Sequence, residues 1–331
     1  MLRAALIGCG MMGRQHALAY RAASGVQLVG VCDVVPMAAA ILGREVGVPA
    51  FASADEMLAQ ARPDLVSVVT PDAHHVAPTL AALAAGCHVL VEKPIALELP
   101  DARRMIEAAR AADRVLAVDF NRRFARPHEL ARRYQHEGRL GTFSYASLRV
   151  ALPGGRPPTT PYELVYDSLV HLLDLAAWYG GEVAEVTCLM SDRRDGFAYH
   201  NVQIGLRFEG GGIGSVVGSW DGTRLHPIEL AEIQGTNGRA RVENVVGRFV
   251  FEPNDSDLAE VWEPRPFGER RELLQFYPTT IRAHIDALVF SIEVGEPPPV
   301  SGEDGLRALR LVKAAIRAFE ERAVIDPSTV E

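Results

Sequence analysis

Cysteine is scarce and unpatterned in this chain. The four present, Cys9, Cys32, Cys87 and Cys188, are scattered over 331 residues with no C-x-x-C pair and no His at metal spacing. That pattern excludes a disulfide framework and a thiolate zinc site; no metal is expected, and free thiols imply a reducing, cytoplasmic setting. No run of about 18 apolar residues occurs, so no membrane span is expected. A basic excess is also missing, because 34 Lys+Arg stand against 42 Asp+Glu for a net charge of −8. Binding nucleic acid or anionic lipid through bulk charge needs clustered cations, so a small-molecule partner is expected instead. Residues 1–19 loosely match a secretory signal, with an early Arg3 and the small pair Ala17 and Ala19, but Gly8, Gly10 and Gly13 interrupt it. What is abundant is aliphatic: 48% of residues are hydrophobic and only 7% aromatic. At roughly 150 residues per domain, that composition suits two globular domains with their own cores.

The first third alternates short β-branched runs with alanine-rich segments, the pattern of βαβ units around a parallel sheet. Strands are expected at 4–7, 26–32, 65–69, 88–91 and 115–118, and helices at 11–23, 36–46, 76–85 and 99–112. Near-continuous apolar strands imply burial on both faces, hence a doubly wound α/β (Rossmann) domain over 1–120. After Phe120 the basic segment 121–127 ends in a proline, and period-two alternation takes over from Gly141. Val202, Ile204, Leu206 and Phe208 alternate with polar or small residues, and after the turn at 209–212 the run 213–220 returns as a hairpin. Further strands are expected at 142–150, 183–189, 228–234, 240–243 and 249–252, with helices at 164–179, 279–294 and 303–321. The expected second domain, 121–331, is α+β with a mostly antiparallel open sheet. One face of such a sheet needs a cover, which suggests a homodimer or homotetramer built on it.

Gly8-Cys9-Gly10-Met11-Met12-Gly13 fits G-x-G-x-x-G at the end of the first strand and the start of a helix. The first glycine permits the turn, the second lets backbone approach a pyrophosphate, the third packs helix on strand, and the helix N-terminus supplies N–H donors. Asp33 ends the next strand, twenty positions after Gly13, where a carboxylate reaches the adenosine ribose hydroxyls. Val34, Val35 and Pro36 offer no cation for a 2′-phosphate, so NAD is favoured over NADP. Thr70-Pro71-Asp72-Ala73-His74-His75 and Glu92-Lys93-Pro94 each follow a strand C-terminal end, the ligand side of an open α/β sheet. His74 and His75 read equally as a cofactor rim or as a polar turn capping the next helix. Lys93, before a proline, is held out of the helical region. Asp167, His171 and Asp174 stand at i, i+4 and i+7 of an apolar helix, so a carboxylate precedes an imidazole by one turn and can raise its basicity.

Taken in order, these motifs resemble the Gfo/Idh/MocA oxidoreductases, named for glucose-fructose oxidoreductase, inositol dehydrogenase and a rhizopine-catabolism protein. The resemblance spans nearly the whole chain and includes Phe120-Asn121-Arg122-Arg123-Phe124 and Ser301-Gly302-Glu303-Asp304-Gly305-Leu306. It implies that Lys93 contacts the nicotinamide ribose and substrate hydroxyl, that Asp167 orients the substrate and that His171 is the general acid/base. It also implies a secondary alcohol of a sugar, cyclitol or sugar nucleotide as substrate. The family's small residue two positions after the aspartate is Leu169 here, and Tyr162 to Tyr166 stand in place of a Gly-rich approach, so the resemblance does not fix the pocket shape or the substrate. Asn121, Arg122 and Arg149 are substrate candidates, whereas Arg123 reads as solvated basic surface. Two other readings keep the cofactor: glycoside cleavage through transient oxidation, and a dinucleotide sensor without turnover. Retention of Lys93, Asp167 and His171 together argues against the sensor.

Overall fold

The computed structural model describes residues 1–153, 157–191, 196–223, 228–264 and 276–331. In chain order the first elements are β1 (Leu2–Ile7), α1 (Met11–Ala22), β2 (Val26–Cys32), α2 (Pro36–Val46), β3 (Ala50–Phe51), α3 (Ala54–Ala61), β4 (Leu65–Val68), α4 (Val76–Ala84), β5 (His88–Val91), α5 (Leu99–Ala111) and β6 (Leu116–Val118). They continue with α6 (Arg126–His136), β7 (Phe143–Ala151), α7 (Val170–Gly180), β8 (Val183–Met190), β9 (Asn201–Phe208), β10 (Ile213–Ser219), β11 (Glu229–Gly235), β12 (Gly238–Glu243), β13 (Arg248–Pro253), β14 (Glu260–Trp262), α8 (Phe276–Val294) and α9 (Gly302–Glu321).

Chain contacts divide these elements into two units. The first holds residues 1–121 and the chain from α8 to Leu306; the second holds 122–264 and 307–331. In the first, a six-stranded parallel sheet runs β3-β2-β1-β4-β5-β6. Every residue of β4 is buried, as a strand covered by helices on both faces requires. The strand order reverses between β1 and β4, and at such a switch point the loops after the strand C-termini diverge and leave a crevice. The Gly8–Gly13 loop and Thr70 lie at those two ends.

A contiguous split near residue 120 does not describe α8. Ile281, Ile285, Leu288 and Val289 recur at helical spacing and are buried in one cluster with Leu6, Ala17 and Tyr20 of the first unit. Each such side chain contributes about 2 kcal/mol by leaving water. The stripe marks a buried helix but carries no label for the core that receives it. α9 is divided likewise, with residues up to Leu306 in the first unit and those from Arg307 in the second.

The second unit is an eight-stranded sheet ordered β14-β13-β12-β11-β7-β10-β9-β8. Among the described strands only β7 and β10 pair in parallel. Ala146, Leu148 and Val150 of β7 and Val202, Ile204, Leu206 and Phe208 of β9 point to the covered face, as their period of two predicts. Helix α7, buried along nearly its whole length, packs on β7 and β10. Pro127, which closes the basic segment 121–127, sits in the first turn of α6, where its missing N–H leaves no bond unmade.

Candidate active site

In the first unit the glycine loop is shaped by close contacts on two sides and open on the third. Gly8 has φ +106°, and a Cβ there would lie 2.4 Å from the Val69 carbonyl oxygen; one on Gly13 would lie 2.0 Å from that of Gly8. A Cβ on Gly10 would meet nothing within 4 Å. Gly8 and Gly13 are therefore demanded by the backbone itself, while Gly10 leaves space in front of the α1 N-terminus. No side chain caps that terminus, so its first amides, including those of Met11 and Met12, remain available as donors. Asp33 holds the loop: Oδ2 accepts the Cys9 N–H at 2.7 Å and Oδ1 accepts the Val35 N–H at 2.8 Å. Each carboxylate oxygen keeps a lone pair for a hydroxyl donor. Burial, and the Asp33 charge after it, push the Cys9 thiol up to about 12, so it stays protonated. Open space at Gly10, free amides and a carboxylate at the end of β2 fit a dinucleotide.

The turns after β4 and β5 are tied together. Thr70 Oγ1 donates to the His74 carbonyl at 3.0 Å, and Pro71 starts the short 3-10 turn Asp72–His74. His74 is exposed, whereas His75 is buried, with Nδ1 2.7 Å from the Pro94 oxygen and Nε2 2.9 Å from the Thr70 oxygen. His75 thus neither lines a rim nor caps α4 with its side chain; it braces one turn against the other. Burial holds its pKa below the ordinary value. The Lys93–Pro94 bond is cis.

Beneath Lys93 lies a buried ionisable cluster that the sequence reading missed. His16 Nε2 is 3.1 Å from Glu92 Oε1 and 3.3 Å from Asp119 Oδ2, and His284 Nδ1 is 2.7 Å from Asp119 Oδ1. Glu92 Oε2 accepts the Lys93 backbone N–H at 3.1 Å. Burial opposes charging His16, but the hydrogen bonds and charges of Asp119 and Glu92 outweigh it and hold the ring up to about 9. The two imidazoles hold the Asp119 carboxyl below its usual range. Asp119, a charge closing the apolar run of β6 at its C-terminal end, was a visible signal; His284 on α8 was not.

In the second unit Asp167 lies in a π-helical turn, Val165–Leu169, that runs into α7. The extra residue per turn replaces the α-helical spacing on which the i, i+4, i+7 stripe was drawn. His171 is buried on α7 and Asp167 is half-buried. Asp174, the third member of the expected stripe, is drawn into another role: it takes Arg123 through two bonds of 2.8 and 2.5 Å. Arg123 is accordingly a buried ion-pair partner and not solvated surface, a correction explained by the carboxylate facing it from α7. Leu169 turns inward. It is fully buried against β10, where a Cβ on Gly218 would come within 2.6 Å of Leu169 Cδ2; the glycine makes room for the leucine.

The three substrate candidates have different surroundings. Asn121 is buried with Nδ2 3.5 Å from Asp119 Oδ2, at the limit of a hydrogen bond. Arg122 is nearly buried and paired with Glu229 at 2.8 Å. Arg149 is exposed on β7, opposite Val217 and Leu230, on the face that α7 does not cover. It therefore stands apart from Asp167 and His171, because adjacent strand residues point to opposite faces.

Residues 2–120 match the family model described as oxidoreductase family, NAD-binding Rossmann fold, and residues 128–241 match the GFO/IDH/MocA C-terminal domain. D-apiose dehydrogenase of Paraburkholderia graminis is 28% identical, with 99% of this chain and 90% of that one covered. Myo-inositol 2-dehydrogenase of Thermotoga maritima is 28% identical, with 97% of each covered. The crystal structure of an oxidoreductase from Agrobacterium radiobacter, in complex with NAD+, L-tartaric acid and magnesium, shares the fold with a TM-score of 0.89 at 22% identity, over 100% of this chain and 99% of that one.

Proposed function

Because the chain belongs to the Gfo/Idh/MocA family of NAD-binding oxidoreductases, we propose that it interconverts a secondary alcohol and its ketone on a sugar, cyclitol or sugar nucleotide. NAD, when bound, supplies the acceptor for the carbon-bound hydrogen and its two electrons. Gly8, Gly10, Gly13, Asp33, Thr70, Pro71 and His74, with the amides of Met11 and Met12, hold it. Asp33 without a neighbouring cation in Val34, Val35 and Pro36 selects NAD over NADP, since a 2′-phosphate would face a carboxylate. His171 takes the hydroxyl proton as base, Asp167 orients the substrate, and the Lys93 ammonium favours the developing alkoxide while clamping the hydroxyl. Imidazole suits this because its ordinary pKa of about 6.5 lets it give or take a proton near neutrality. The observation that carries the reading is the open space at Gly10 between uncapped α1 amides and Asp33. The outer face of the second sheet, with Leu189 and Ile213 more than half exposed, supports a homodimer or homotetramer built on that face. Four free thiols support a cytoplasmic setting.

The test is NADH absorbance with NAD+ and NADP+ in parallel over a panel of polyols, cyclitols and sugar nucleotides. Turnover with NAD+ is expected, falling by at least about 100-fold in Lys93→Met and His171→Ala while NADH binding persists. Full activity of His171→Ala across pH would remove the base assignment. Free sugar released without net NADH would show transient oxidation, and NADH binding without any turnover would favour a sensor.

A further inference from the structure

We propose that Asp119 and His284 are positioning residues for Lys93, acting through His16 and Glu92; this rests on the role given to Lys93 above. Five groups form an unbroken chain: His284 Nδ1, the Asp119 carboxylate, His16 Nε2, the Glu92 carboxylate and the Lys93 amide, joined by contacts of 2.7, 3.3, 3.1 and 3.1 Å. All four side chains are buried in a unit whose core is otherwise largely aliphatic. Buried ionisable groups stabilise a fold less than apolar packing of the same volume, so such a chain needs another reason to exist. Its far end supplies one, because the carboxylate that accepts the Lys93 N–H is held from behind. With His16 protonated, one ring nitrogen donates to two carboxylates at once and Glu92 has one orientation. When His16 gives up its second proton from the unpartnered Nδ1, Nε2–H still bridges the two carboxylates, but they lose the positive charge between them and repel, which loosens the Glu92 grip on the Lys93 amide.

The groups facing His16 are Glu92 from β5 and Asp119 from β6. Asp119 in turn meets His284 from α8, the Asn121 amide and the field of the Tyr20 hydroxyl, which hydrogen-bonds Ser67 of β4. His16 keeps its charge to about 9 in this setting, so the two carboxylates are held together by a cation at neutral pH and lose that cation on the alkaline side. The same three groups, His16, Glu92 and Asp119, bring ligand atoms within 4.8 Å of one another, so a bound cation is the competing occupant.

Asp119→Asn keeps the shape and removes the charge. We expect kcat to fall about 10- to 100-fold with NADH affinity retained, and the alkaline limb of the kcat profile to move toward neutral pH. A readout independent of turnover is competitive acetylation, since the chain has only two lysines, Lys93 and Lys313, and Lys313 serves as the internal reference. The Lys93 rate relative to Lys313 should change several-fold in Asp119→Asn and in His284→Gln. NMR titration of the wild-type histidines should show His16 charged to about pH 9. If no polyol is turned over, the dehydrogenase reading fails while labelling and titration still judge the chain of contacts. His16 titrating near 6.5 in the wild-type protein would overturn the proposal even if neither variant folds. So would unchanged Lys93 labelling, or a stoichiometric metal that Asp119→Asn loses.

Discussion

The two units bury charge in different currencies. In the first, the buried acids are matched by imidazoles, His16 and His284 against Glu92 and Asp119. In the second, two of the buried acids are matched by guanidiniums, Arg123 against Asp174 and Arg122 against Glu229, while Glu163 accepts from the Thr159 amide and hydroxyl. A guanidinium stays charged at every pH a protein survives, so its pairs are permanent; an imidazole is a cation only while it holds its proton. The permanent cation also acts on its neighbours. His128, fully buried with Nδ1 2.9 Å from the Tyr179 hydroxyl and no partner for Nε2 among the described residues, is pushed down to about 3 by burial and then by Arg122. One unit therefore carries a histidine held protonated, and the other a histidine held neutral.

The comparison breaks most visibly at Arg123. Arg123→Met should destabilise the second unit by about 3–5 kcal/mol, because Asp174 would remain as an uncompensated buried charge. Urea unfolding followed by hydrogen exchange in α7 measures this, and Asp174→Leu added to the variant should recover much of the loss. An isolated Arg123→Met with unchanged stability would mean that Asp174 finds another partner.

A smaller effect, of opposite sign in the two units, is expected from pH. His16 has its folded pKa raised from 6.5 to about 9. Its contribution is full below pH 6.5 and is lost as pH rises through about 9, on the order of 3 kcal/mol in the limit. His128 has its folded pKa lowered from 6.5 to about 3, so the unfolded chain takes up the proton first and stability falls as pH drops below 6.5. Local hydrogen exchange should show α1 loosening on the alkaline side and α6 on the acid side. Asp119→Asn should flatten the first slope and His128→Phe the second; equal slopes in both units would refute the contrast.

The smallest effect on the fold should carry a large one on binding. Gly10→Ala adds a Cβ that meets nothing within 4 Å, so thermal stability should change by less than about 1 kcal/mol while NADH affinity falls. Retained NADH affinity would move the pyrophosphate away from Gly10. Gly8→Ala offers no such separation, since its Cβ would strike Val69 and its φ of +106° is unfavourable for alanine.

Much of the first unit was legible because its chemistry is local. The glycine loop, Asp33 and the Glu92-Lys93-Pro94 turn are short segments at strand ends, and strand–helix alternation places them without knowledge of distant contacts. The second unit was legible in its period-two strands but not in its polar residues. Arg123 looks like surface until Asp174 of α7 is set opposite it, and Asp174 looks like a site residue for the same reason. Leu169 departs from the family's small residue, and its accommodation depends on Gly218, 49 positions later in β10. Pro127 punctuates a sequence yet starts a helix, because only the first turn tolerates it.

Composition, hydrophobic period and strand-end motifs by themselves determined the doubly wound first unit, the mostly antiparallel second sheet and the place of the glycine loop at the end of β1. Those features rest on forces between near neighbours: backbone sterics at glycine, alternation across a strand, amides at a helix N-terminus. Tertiary structure alone decided that α8 joins the first core, that Arg123 and Asp174 neutralise each other, and that His284 and Asp119 reach Lys93 through His16 and Glu92. Each of these is a meeting of residues 51 or more positions apart, up to 262 for the Ser24 and Asp286 contact of α8, and burial, which turns such a meeting into a shifted pKa or a fixed ion pair, exists only after the chain has closed around it.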